Sequence, residues 1–115
     1  MNEGDYVRTK YGKIGKIINI SKNRVNTTKY LIEWGSCKAY YVSQVKDYKS
    51  SPNIIDLIEV GDYVNGVLVE SIYQREKDKL YIHSFDTEIM MCFTNNNINS
   101  IVTKEQFESI KYEVN

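Results

Sequence analysis

The sequence predicts an all-β protein in which one small barrel motif is written twice. The segment Gly4-Asp5-Tyr6-Val7 returns as Gly61-Asp62-Tyr63-Val64, at an offset of 57 residues in a chain of 115. Each copy opens a series of short apolar segments separated by glycine and polar turns. The chain has ten tyrosines and a single alanine, Ala39. Aromatic and branched side chains favour strands, whereas an alanine-poor chain is a poor helix former.

The first copy contains four apolar segments that alternate with turns. A turn at residues 10–13 joins the first two segments, and a polar, basic loop at residues 21–28 follows the second. Gly15, inside the second segment, indicates a bulge or a sharp bend. A short turn at residues 43–46 follows the fourth segment. We therefore predict strands over residues 5–9, 14–20, 29–34 and 37–42.

The second copy repeats this arrangement and adds a helical turn. Asn65-Gly66 predicts a tight hairpin, because both residues tolerate positive φ. Residues 74–79 form a charged turn that corresponds to the basic loop of the first copy. Thr103 and Gln106 match a capping box, which predicts one or two helical turns through Phe107. We predict strands over residues 62–64, 67–73, 80–85, 88–93 and 98–102.

The boundary between the copies follows Pro52. Proline ends a preceding element, and residues 54–60 are an apolar stretch interrupted by two acids. We expect the first five of these residues to complete the first barrel and the last to enter the second. A unit of 57 residues alone buries little surface. The predicted organisation is therefore a barrel over 1–58 and a barrel over 59–115, packed as one compact unit.

The residues after the first Gly-Asp-Tyr-Val copy extend its pattern to Gly12-Lys13-Ile14-Gly15-Lys16-Ile17. This pattern resembles the KOW-type, SH3-like barrel family, in which a GDxV-like strand meets a G-x-x-G-x-[VI] turn and strand. The second copy keeps its turn, Asn65-Gly66, but has no second glycine. The resemblance implies two tandem SH3-like (KOW-like) small barrels with one short C-terminal helical turn.

The chain as a whole also resembles small proteins of phages and mobile elements of low-GC Gram-positive bacteria. Abundant Asn, Lys, Ile and Tyr and the segment Ile101–Phe107 carry that likeness. The N-terminus lacks the basic and apolar regions of a signal peptide. No apolar run approaches the roughly 20 residues that span a bilayer. We expect a bacterial cytoplasmic protein that does not contact the membrane.

Charge is divided unequally between the two halves. Residues 1–58 carry ten basic and five acidic side chains, and residues 59–115 carry five basic and ten acidic ones. Such asymmetry indicates a polyanionic or charged-protein partner. In the basic half, aromatic residues interleave with lysines, which suits single-stranded nucleic acid or RNA. The predicted nucleic-acid site, on RNA or DNA, comprises Lys10, Tyr11, Lys13, Lys16, Lys22, Arg24, Lys38 and Tyr41.

Three alternatives remain open. One is that Tyr30, Trp34 and Tyr40 fill the barrel cores and the lysines are solvated outside. A second functional hypothesis is a phage-borne inhibitor or adaptor that binds a host defence or nucleic-acid enzyme through acidic residues. These are Glu70, Glu76, Asp78, Asp86 and Glu88. The opposite charges of the halves are also compatible with self-association into a homo-oligomer.

The sequence gives little support to catalysis. His83 is the only histidine and lies in an alternating strand, without an evident nucleophile and orienting partner. Cys37 and Cys92 are too few for a disulfide framework, and no CxxC pair indicates zinc. No glycine-rich phosphate loop precedes a helix. We expect a non-enzymatic binding module without a metal or cofactor.

Overall fold

The computed structural model describes residues 1–25, 27–35, 39–84 and 87–110. It divides into two compact units, residues 1–52 and 53–115. The described residues form small antiparallel sheets and one short helix, so the predicted all-β class is confirmed. Within these residues, no helix has the length and hydropathy that crossing a membrane requires.

The first unit contains one five-stranded antiparallel sheet. Its strand order is β4-β3-β2-β1-β5, so β5 pairs with β1 and leaves β4 at the opposite edge. The strand β5 was not predicted, because its Lys-Ser-Ser sequence resembles a linker and its pairing is long-range. The strands are β1 (Tyr6–Arg8), β2 (Ile14–Lys22), β3 (Thr28–Glu33), β4 (Tyr40–Val42) and β5 (Lys49–Ser51).

The core of the first unit is formed by side chains that alternate along its strands. Val7, Ile17, Ile32 and Trp34 are buried together. Gly15 allows this packing, because a Cβ there would lie 2.7 Å from both the Ile32 Cγ2 and the Trp34 Cε3 atoms. The predicted bulge at Gly15 is wrong, since the register shift of β2 lies between Ile17 and Asn19. The glycine serves close packing instead.

The second unit has six strands in two three-stranded sheets, β10-β9-β8 and β11-β6-β7. The strands of the second unit pair in the same order as those of the first. Strands β7 and β8 together correspond to β2, and β11 corresponds to β5. The closure of either unit into an SH3-like barrel stays a prediction. The strands are β6 (Tyr63–Val64), β7 (Val67–Leu68), β8 (Ser71–Arg75), β9 (Lys79–Ser84), β10 (Thr87–Thr94) and β11 (Ile101–Val102).

The connector after Pro52 belongs to the second unit. Residues Ile54–Leu57 form a 3₁₀ helix, and Ile55 and Ile58 are buried in a core with Val64, Val69, Leu80, Ile82 and Phe93. Arg75 fixes the connector, because its guanidinium donates hydrogen bonds to the carbonyl oxygens of Ile55, at 2.7 Å, and of Ile58. Residues 53–58, which the sequence analysis assigned to the first half, thus pack in the second core.

The repeated tetrapeptide forms the same turn in both units. Oδ2 of Asp5 accepts a hydrogen bond from the Asn2 N–H at 2.9 Å, and Oδ2 of Asp62 accepts one from the Glu59 N–H at 2.8 Å. The preceding glycines both adopt positive φ, of 88° and 98°. Each glycine N–H also donates a hydrogen bond to a backbone carbonyl, that of Ile17 in β2 for Gly4 and that of Val69, just after β7, for Gly61. The repeat therefore encodes a structural turn.

Two local predictions in the second unit are confirmed. Asn65 and Gly66 have φ values of 51° and 80° and join β6 to β7 as a tight hairpin. Helix α1 spans Lys104–Ile110. Its capping box is present, since the Gln106 N–H donates to Thr103 Oγ1 at 3.3 Å and the Thr103 N–H to Gln106 Oε1 at 3.1 Å. The sequence also predicts an extended segment over residues 111–114, which lie outside the described residues.

Candidate functional site: an aromatic and basic groove

An open groove of about 940 Å³ lies at one end of the first unit. We call it the aromatic–lysine groove. One wall is the β1–β2 turn, residues 9–13, and the other is the segment after β4, residues 43–48. Trp34 and Tyr40 also line it. A volume near this value is at the upper end of the range for small-molecule sites.

Thr9 holds the β1–β2 turn in place. Its Oγ1 atom accepts hydrogen bonds from the Tyr11 N–H at 3.3 Å and the Lys13 N–H at 3.1 Å. The Gly12 N–H donates to the Thr9 carbonyl, and Gly12 has a φ of 82°. These bonds project Tyr11 outward, where its side chain is 73% exposed. The turn thus presents an aromatic ring between two lysines on an ordered backbone.

Three aromatic rings line the inner part of the groove. Trp34 follows Ile32 by two residues, so strand alternation brings both to the core side, and Trp34 is only 4% exposed. The Trp34 ring lies 6.1 Å from that of Tyr40 and 6.2 Å, edge-on, from that of Tyr48. The Trp34 indole N–H is buried and has no hydrogen-bond partner among the described residues. The groove is thus lined by aromatic ring surface.

Lysine side chains lie against these rings. The Lys13 ammonium is 4.8 Å from the centre of the Trp34 ring and 5.5 Å from that of Tyr40. It also lies 3.3 Å from the Tyr40 hydroxyl, to which it donates. Lys10 lies 5.1 Å from the Tyr11 ring. With Lys46 and Asp47 on the other wall, the groove carries three lysines against one acid. Its potential favours anions.

Tyr48 contributes a neutral hydroxyl to the groove. Burial raises the pKa of Tyr48 above its ordinary value of 10.0, the neighbouring Tyr40 raises it further, and the Lys13 ammonium opposes both. Tyr48 therefore stays protonated at neutral pH and can donate a hydrogen bond.

The structure brings three of the predicted nucleic-acid residues together. Lys10, Tyr11 and Lys13 line the groove. Trp34, Tyr40, Lys46 and Tyr48 also line it, although none was named as a site residue. The only sequence pattern that points to them is the proximity of Trp34 and Tyr40 to lysines, and this pattern is also typical of core packing. Trp34 belongs to the core of the first unit and also lines the groove.

The other predicted basic-half residues lie elsewhere. Lys16 points out of the sheet, with its ammonium 5.6 Å from the Tyr6 ring. Lys22 and Arg24 are exposed at the far end of β2, a nine-residue strand that extends roughly 30 Å. Tyr41 faces away from Tyr40, and its hydroxyl accepts a hydrogen bond from Asn19 at 3.2 Å. Lys38 lies outside the described residues.

The acidic residues of the second hypothesis do not form one cluster among the described residues. Glu70 precedes the five-residue strand β8 and Glu76 follows it, roughly 20 Å further along. Glu76 and Asp78 alternate with Lys77 and Lys79 in the turn. The Glu76 carboxylate raises the pKa of Tyr81. Asp86 and the Glu88 side chain lie outside the described residues. Protein binding through this surface stays a prediction.

The second unit has a smaller recess beside His83. Glu70, Ser71, Tyr73 and Ser84 complete its lining, and the His83 ring lies 6.1 Å from the Tyr73 ring. Among the described residues, no group of three or more His, Cys, Asp or Glu side chains could hold a metal ion. The Cys92 thiol is exposed, and Cys37 lies outside the described part of the chain.

Comparison with known proteins adds no relative. No protein-family model, curated protein or solved structure matches the chain. The resemblances to KOW-type barrels and to phage proteins therefore stay predictions.

Proposed function

We propose that the first unit binds single-stranded nucleic acid in the aromatic–lysine groove. The observation that carries this proposal is the position of Lys13, whose ammonium lies 4.8 Å from the centre of the Trp34 ring and donates to the Tyr40 hydroxyl. Cations and aromatic faces are the two elements that single-strand binding requires. Lysines neutralise phosphates, and rings stack on bases of any sequence, at about 1–3 kcal/mol per base.

The shape of the groove favours single strands over a duplex. Trp34 is only 4% exposed and the Lys13 ammonium lies against its ring, so a base must enter the groove and displace Lys13 to stack there. In a duplex the base faces are covered by their neighbours, and extruding a base costs a few kcal/mol. Tyr11, exposed on the turn, offers a second stacking surface beside Lys10. A flexible single strand can reach both surfaces.

Fluorescence anisotropy with labelled single-stranded and duplex 20-mers, at low salt, tests the proposal. We expect the single strands, of RNA or DNA, to bind more tightly than the duplex. Replacing Lys10, Lys13 and Lys46 by Gln should weaken binding and reduce the slope of log K against log salt by about 2, since single strands contribute about 0.7 per phosphate contact.

Two exposed lysines at the other end of the first unit provide a matched control. Lys22→Gln combined with Lys29→Gln removes charge from the far end of the β2–β3 hairpin and leaves the groove intact. We expect that variant to retain most of the affinity. The proposal fails if no single strand binds at low salt, or if the control variant loses as much affinity per lysine as the groove variant.

A further inference from the structure

In this structure the Lys13 ammonium lies 4.8 Å from the centre of the Trp34 ring and donates a hydrogen bond to the Tyr40 hydroxyl. A base cannot stack on a ring face where an ammonium rests. Stacking of a base on Trp34 therefore requires Lys13 to give up its cation–π contact with that ring.

A phosphate on the incoming nucleotide compensates for that loss. It offers Lys13 a charge-assisted hydrogen bond, which is stronger than a bond between neutral groups. A nucleoside offers the displaced ammonium only neutral carbonyl and hydroxyl acceptors. Inorganic phosphate attracts the ammonium but leaves the Trp34 and Tyr40 rings uncovered. Only a ligand that has a base and a phosphate close together satisfies both parts of the groove.

We propose that the recognition unit of the groove is one phosphorylated nucleotide and that Lys13 determines this specificity by moving from the aromatic rings to the phosphate. The inference rests on the proposed function, since it names the part of a single strand that the groove takes up.

Trp34 is the only tryptophan, so its fluorescence reports on this groove alone. We would titrate the whole chain with uridine 5′-monophosphate, uridine and inorganic phosphate at constant ionic strength, and follow the same titrations by NMR chemical shifts. We expect the monophosphate to bind at least about tenfold more tightly than uridine. Phosphate should cause little change in Trp34 fluorescence.

Lys13→Gln should lower the affinity for the monophosphate but not that for uridine. Without the ammonium, the variant should bind the monophosphate several-fold more weakly, while uridine should bind equally or more tightly because nothing charged covers the Trp34 ring. Lys29→Gln is the matched control, since Lys29 is an exposed lysine on β3 that does not line the groove. It should leave the uridine affinity unchanged and keep most of the preference for the monophosphate. Circular dichroism checks that both variants fold.

Three results would overturn the inference. One is a Lys13→Gln variant that weakens uridine and the monophosphate equally, and another is a wild-type protein without preference between them. The third is a glutamate hexapeptide that perturbs Trp34 as strongly as the monophosphate, because it would show that any anion suffices. If the 20-mers bind but one of these results is obtained, the inference fails alone. If the 20-mers do not bind, the proposed function fails, and the inference that rests on it fails with it.

Discussion

Replacing Asp62 by Ala should destabilise the second unit much more than Asp5→Ala destabilises the first. The two aspartates occupy the same turn, but their contacts differ. Asp62 is fully buried and accepts hydrogen bonds from the Glu59 N–H at 2.8 Å and, through Oδ1, from the Lys104 N–H of helix α1 at 3.0 Å. Asp5 accepts the equivalent turn bond, from Asn2, at 2.9 Å.

The expected magnitudes follow from the number of bonds. A hydrogen bond to a charged group contributes about 1.5–3 kcal/mol, and its loss leaves a donor without a partner. Asp5→Ala removes one such bond and should cost about 1.5–3 kcal/mol. Asp62→Ala removes two and should cost about 3–6 kcal/mol. Asp62→Asn has nearly the same size but turns an N–H donor toward one of the two backbone donors, so it should be intermediate.

Urea unfolding followed by two-dimensional NMR suits the comparison, because the resonances of each unit report its own unfolding. Amide exchange should also accelerate at Glu59 and Lys104 in the Asp62→Ala variant. The reasoning is refuted if Asp5→Ala and Asp62→Ala cost the same, because the helix bond would then contribute nothing. A normal exchange rate at Lys104 would refute it equally.

Three further predictions concern the first unit. Thr9→Val removes the acceptor that orders the β1–β2 turn, so single-strand affinity should fall several-fold by anisotropy, whereas Thr27→Val in the β2–β3 turn should have little effect. Gly15→Ala inserts a methyl group 2.7 Å from Trp34, so it should cost about 1–3 kcal/mol in urea unfolding and shift the Trp34 emission. Because the pKa of Tyr48 is raised in the folded state, its contribution to stability is present below pH 10.0 and is lost as the pH rises through the folded-state pKa. The unfolding free energy of the wild type should thus fall more steeply above pH 10 than that of Tyr48→Phe.

Features with a local cause were predictable from the sequence. The Asn65-Gly66 hairpin depends on two residues that tolerate positive φ, and the Thr103–Gln106 capping box depends on two side chains three positions apart. Neither needs information from a distant segment. The Gly-Asp-Tyr-Val turn is similar, because its carboxylate bonds a backbone N–H three residues earlier.

Features with a long-range cause were not predictable. Strand β5 exists because it pairs with β1, more than forty residues away in the sequence, and its own residues give no strand signal. Gly15 is required by the approach of Trp34, which no local pattern shows. The predictability of the site residues depended in the same way on whether their cause is local or long-range. Lys10, Tyr11 and Lys13 were found because they share one turn, whereas Tyr48 reaches the groove only through the folded sheet.

Among the described residues, only the first unit has the aromatic–lysine groove. The two connections of the second unit that correspond to the groove walls differ in length and in side chains. In the first unit, a five-residue turn, 9–13, and the segment 43–48 leave open space between them. In the second, the turn between β6 and β7 is only Asn65-Gly66. The Asn65 side chain ties that turn to the segment after β10, donating to the Asn97 carbonyl at 2.9 Å and accepting from the N–H groups of Asn99 and Ser100 at 2.7 and 3.1 Å.

These three hydrogen bonds occupy the place where the first unit has its groove. The duplicated turn therefore supplies the same backbone twice, while the length and side chains of two neighbouring connections decide whether a site can form. Shortening the β1–β2 turn to Asn-Gly would remove Lys10, Tyr11 and Lys13 together and leave the paired strands of the first unit in place. The two units thus share the same Gly-Asp-Tyr-Val turn but differ in the length and side chains of these connections. The first unit has an aromatic–lysine groove, and the second has none of this kind within its described residues.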